Sequence, residues 1–80
     1  MPWIMDIRFR QLVVDLTPGL ASEDRDELLD HIIQELPNVD RVLLLVPAEY
    51  EVGERGLLLD VLVQVLTRRA VNVERRYVEP

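Results

Sequence analysis

The chain has 80 residues, 49% of them hydrophobic, no cysteine, and a formal net charge of −6. That length suits one domain spanning 1–80 and is short for two, so stability rests on a core rich in apolar side chains. The missing cysteines exclude disulfides, thiolate zinc sites and a cysteine nucleophile. No apolar run reaches the roughly 18 residues of a membrane span.

The opening "MPWIMDIRFR" meets Asp6 and Arg8 too early for a signal peptide, so a cytoplasmic protein is expected. Met5, Phe9, Leu12, Val13 and Leu16 recur at helical spacing, whereas strand alternation is broken at Gln11. The spacing predicts a helix over 5–16, stopped by "TPG" at 17–19. Ser22 is a good N-cap, followed by Glu23 and Asp24 where the helix dipole favours negative charge. Leu28, Leu29, Ile32, Ile33 and Leu36 then form one apolar stripe, predicting a helix over 22–36 that Pro37 closes.

"RVLLLVP", 41–47, reads equally as a short helix after Asn38 or as a buried strand, because periodicity does not separate the two in so short a run. Over 56–69, Asp60, Gln64 and Arg68 fall four apart on one side of an otherwise apolar helix, which predicts a central position. The last stretch, 71–78, alternates as a strand would, but as a helix it would bring Val73, Tyr77 and Val78 together.

No grouping of residues completes a reaction. Glu23, Asp24, Asp26, Glu27 and Asp30 read first as a solvated helix face, and otherwise as a partner surface. No Gly-punctuated loop accompanies them, as a calcium site requires. His31 is the only histidine and Ser22 the only serine, already used as a cap; the i, i+4 relation of His31 to Glu35 is an ordinary surface pair. "GERG" at 53–56 lacks the lysine and spacing of a phosphate loop and reads as a turn. Trp3 and Tyr50 read as lids over core gaps. No metal, cofactor or catalytic residue is expected.

Charge is unevenly placed. Residues 1–36 carry −5, residues 37–66 carry −3, and residues 67–80 carry +2 through Arg68, Arg69, Arg75 and Arg76. An acidic body with a basic tail lacks the broad positive face that duplex binding needs. Arginine forks onto carboxylates, so the four arginines and the acids Asp24, Asp26, Glu27 and Asp30 are the candidate contact residues of head-to-tail association. All nine basic residues are Arg, a usage typical of GC-rich bacterial genomes.

"FRQLVVDLTPGLASEDRDELLDHI" resembles the first two helices of a death-effector-type domain of the death-fold superfamily, and "GLLLDVLVQVLTRRAVNVERRYVE" is similar to its fifth helix and the run into the sixth. The family's RxDL motif is absent, since Arg68-Arg69-Ala70-Val71 stands in its place, and no functional residue is carried over. The resemblance, shared with death-like effector-associated domains of bacterial conflict systems, implies an all-α, antiparallel six-helix bundle. It also implies a non-catalytic adaptor in bacterial immune signalling that binds itself or a homologous death-like domain. The alternative from the residues themselves is a small α/β domain, β-α-β-α-β, with strands near 4–14, 41–46 and 71–78, that binds a small ligand or effector as a regulatory domain.

Overall fold

The computed structural model describes residues 3–19, 22–69 and 72–79. Strands β1 (Ile4–Arg8) and β2 (Gln11–Asp15) form a hairpin, and helix α1 (Arg25–Glu35) leads to β3 (Arg41–Pro47). Helix α2 (Glu54–Arg68) then leads to β4 (Asn72–Val78). The strands lie in chain order, with β1–β2 antiparallel and β2–β3 and β3–β4 parallel. Each parallel step is made by one helix, as a βαβ crossover requires.

The architecture is therefore α/β, and the expected six-helix bundle does not form. The apolar spacing at 5–16 has a second solution that removes the expected helix. A two-residue turn at Phe9-Arg10, with φ of 52° and 63°, resets the alternation. Met5 and Ile7 then share a face with Val14 and Leu12 through the register Met5↔Val14 and Ile7↔Leu12. Phe9, which completed the helical stripe, stands fully exposed at the hairpin tip. The ambiguous 41–47 is the middle of the sheet, where a strand between two partners is buried and reads as a continuous aliphatic run.

The other expected elements are present with shifted ends. A 3-10 turn at Ser22–Asp24 precedes α1, whose N-cap is Asp24 with no side-chain capping bond; the Ser22 side chain and Val71 lie outside the described residues. Asp15 holds the turn after β2, accepting from the Thr17 amide at 2.9 Å and its hydroxyl at 2.6 Å. In "GERG", Gly53 takes φ of 84° and caps α2, while Gly56 lies inside the helix. A Cβ at Gly56 would sit 3.0 Å from the Tyr50 carbonyl oxygen.

One core occupies one face of the sheet. Leu12, Val14, Val42, Leu44 and Val46 meet Leu28 and Ile32 of α1 and Leu59, Leu62 and Leu66 of α2, all essentially inaccessible. Both helices thus cover the same face. α2 is not the all-buried central helix its composition predicts, because Leu57 and Val61 point outward at 66% and 43% exposure. The opposite face carries Val13, Leu43 and Leu45 along its middle, flanked by Asp6, Arg8, Glu74 and Arg76. Among the described residues, no helix is long and apolar enough to cross a membrane.

Candidate functional site

The two crossovers run from β2 to β3 and from β3 to β4, which leaves β1 beyond the helical layer. Its core-facing residues are covered incompletely: Ile7 remains 42% exposed and Met5 is half-buried. Between β1 and α1 opens a cleft of about 400 Å³, lined by Met5, Asp6, Ile7, Leu12, His31 and Glu35. Its lining divides evenly between apolar Met5, Ile7 and Leu12 and polar Asp6, His31 and Glu35, a mixture that can hold an amphipathic small molecule.

Three features give the rim its chemistry. The Trp3 and His31 rings meet at 6.1 Å, tilted by 59°, which places the single tryptophan beside the cleft. His31 Nε2 lies 3.9 Å from Glu27 Oε1, so the imidazole pairs one turn back and not with Glu35 as its spacing suggests. Glu35 is left without an ionic partner among the described residues and is the last residue of α1. α1 runs on into one 3-10 turn at Leu36–Asn38, and the carbonyl end of this helical segment carries partial negative charge, so a carboxylate near it is unfavourable. No basic residue occupies that last turn. Asp6 is engaged by Arg8 Nε at 2.7 Å on the neighbouring rim. With Glu35 and the helix end beside it, and no lysine or arginine among its lining residues, the cleft favours a positively charged guest.

A second polar assembly braces the hairpin. Arg10 forks onto Asp40 at 2.9 and 3.0 Å, and the Asp40 amide donates to the Arg10 carbonyl at 2.7 Å. The Arg10 side-chain hydrogen bond holds the Asp40 carboxyl below its ordinary pKa, against a smaller opposing effect of desolvation, and Arg10 is raised by the same contact. The pair links the hairpin tip to the start of β3 and is a structural tie.

The residues singled out by charge stay apart. Asp24 caps α1, and Asp26, Glu27 and Asp30 lie exposed along it, Asp26 accepting from Arg25 Nε at 3.4 Å. Arg68 ends α2 and Arg69 is its C-cap, both exposed. Because α1 starts beyond the end of β2 and α2 finishes before the start of the parallel β4, the acids and the Arg68–Arg69 pair lie at opposite ends of the helical layer. Arg75 and Arg76, neighbours on β4, point to opposite sides of the sheet. Arg75 Nη1 donates to Asp60 Oδ1 at 2.6 Å, and Arg76 lies 3.5 Å from Glu74. Among the described residues, no group of three or more His, Asp or Glu is arranged to hold a metal ion.

The cleft is invisible to sequence reasoning that runs 5–16 as a helix, since Met5 and Leu12 then belong to one buried stripe and Ile7 falls off it. The one readable signal is a carboxylate at the end of a helix with no lysine or arginine nearby. Comparison with protein-family models, with curated proteins and with solved structures finds no match.

Proposed function

We propose that this chain is a non-catalytic, cytoplasmic ligand-binding regulatory domain, taking a small amphipathic cation into the cleft between β1 and α1. The observation that carries this reading is Glu35, a carboxylate at the end of α1 with no ionic partner among the described residues, lining the cleft beside Met5, Ile7 and Leu12. An apolar body on Met5, Ile7 and Leu12 replaces water there, and an ammonium or amidinium head meets both Glu35 and the helix end. His31, backed by Trp3, closes one wall.

Trp3 is the only tryptophan and reports directly on this wall. The test is a fluorescence titration with phenethylamine against its charge-opposed analogue phenylacetate. Saturable change is expected with the amine alone, and Glu35→Gln weakens it about tenfold, the effect of losing one charge-assisted hydrogen bond at a partly exposed site. Equal response to the acid and the amine, or to neither, refutes the reading.

A further inference from the structure

The sheet ends at β4, whose only strand partner among the described residues is β3. Its other edge carries free backbone groups along seven residues, "NVERRYV", with no proline and no bulge within the strand. Edges of this length are normally shortened, bulged or blocked to prevent pairing with another chain.

The side chains of β4 are ordered in a way that selects a partner. Glu74 and Arg76 face the open side of the sheet, level with Leu43 and Leu45, while Val73, Arg75 and Tyr77 face the helices. An antiparallel copy related by a two-fold axis pairs residues on the same face, so the axis must pass through a residue. Through Glu74 it opposes two glutamates, and through Arg76 it opposes two arginines. Through Arg75 it pairs all seven residues: Asn72 with Val78, Val73 with Tyr77, and Glu74 with Arg76, each twice. Within one copy Glu74 and Arg76 already lie 3.5 Å apart, so the paired copies build a ring of four alternating charges. The two central Arg75 side chains are each held by their own Asp60 at 2.6 Å, which neutralises the one like-charge contact. On β1, an axis through Ile7 also opposes Asp6 and Arg8, but the turn at Phe9 ends that ladder after three residues.

We propose that β4 joins the β4 of a second copy of this chain about a two-fold axis at Arg75, giving a continuous eight-stranded sheet. Opposite charges across an antiparallel pair are favourable and like charges directly opposite are not, so one register dominates. Self-association, expected from the polarity of the chain, then runs through Glu74 and Arg76 and does not use the acids of α1. The interface lies at the edge opposite the cleft, and its fate is independent of the ligand reading.

The test is sedimentation of the full chain at ~100 μM, where a micromolar dimer is populated, with circular dichroism confirming the fold of each variant. The wild type is expected at twice the monomer mass of 9.3 kDa. Glu74→Arg and Arg76→Glu each replace two attractive pairs by two repulsive ones and weaken association about tenfold or more. The double exchange Glu74→Arg with Arg76→Glu restores it. Separately, Arg75→Cys introduces the sole cysteine at the axis, where paired Cα atoms stand about 4.5–5.5 Å apart, within disulfide range. It cross-links under mild oxidation, whereas Val73→Cys does not. A monomeric wild type, single reversals without effect, or a double exchange that fails to rescue overturns the proposal.

Discussion

Phe9→Asn is expected to stabilise the protein, although it removes a large hydrophobic residue. Phe9 and Arg10 are the two central residues of the β1–β2 turn, with φ of 52° and 63°. Positive φ at both central positions is the type I′ geometry that matches strand twist and prefers asparagine and glycine. A residue with a bulky Cβ substituent pays roughly 1–2 kcal/mol in this region. The Phe9 side chain is 101% exposed, so its removal forfeits no packing. Asparagine tolerates the conformation, and about 1 kcal/mol of that strain is recovered, which raises Tm by roughly 4–8 °C in a domain of this size. Thermal and urea unfolding measure it, with an unchanged urea slope showing that the denatured state is not altered. Phe9→Ala is the control, since alanine is as exposed but as strained. If alanine raises Tm as much as asparagine does, the gain comes from losing an exposed aromatic, and the backbone reasoning is refuted.

Gly56→Ala is expected to destabilise by about 1–3 kcal/mol, as overpacking does, because the new methyl meets the backbone oxygens of Tyr50 and Glu51 at 3.0 and 3.3 Å; a neutral urea midpoint contradicts that crowding. The Arg10–Asp40 tie predicts a pH dependence with a definite sign. The folded-state pKa of Asp40 is depressed, so its contribution is complete above the ordinary carboxylate value of 3.8 and is lost as pH falls through the lower folded value. Asp40→Asn is therefore less stable than wild type at pH 7, and the two melting curves converge as pH falls below 3.8, which a pH series of thermal melts will show.

The fold was legible in the sequence only where one period had no competitor. Over 22–36 and 56–69 the helical stripes ran long enough to exclude strands; α1 lies within the first range, and α2 covers most of the second but starts two residues earlier, at Glu54. At 41–47 the central strand has no alternation to read, because both of its faces are largely covered: Leu43, on the face away from the helices, is only 7% exposed. At 5–16 the error has a definite physical origin. Hairpins announce themselves through Asn-Gly or Asp-Gly, and here the turn is Phe-Arg, held by the Arg10–Asp40 fork from 30 residues away. A local sequence window contains the strained residues but not the contact that supports them. The cleft inherits the same blindness, since it exists only because β1 stands outside the crossovers. The tendency of the alternating terminal stretch to form a strand was readable, but its edge position, and with it the meaning of Glu74 and Arg76, needed the sheet order.

The sequential strand order has a mechanical consequence. β1 runs opposite to the other three strands, so Ile4 and Val78 sit at the same end of the sheet but on opposite edges. Tension applied at these two points acts across the strands and along the direction of the ladder hydrogen bonds. Each outer strand is then peeled one bond at a time, and the bonds do not share the load as they would in shear. The protein should yield at low force from its rims inward, with β2 and β3 the last to part.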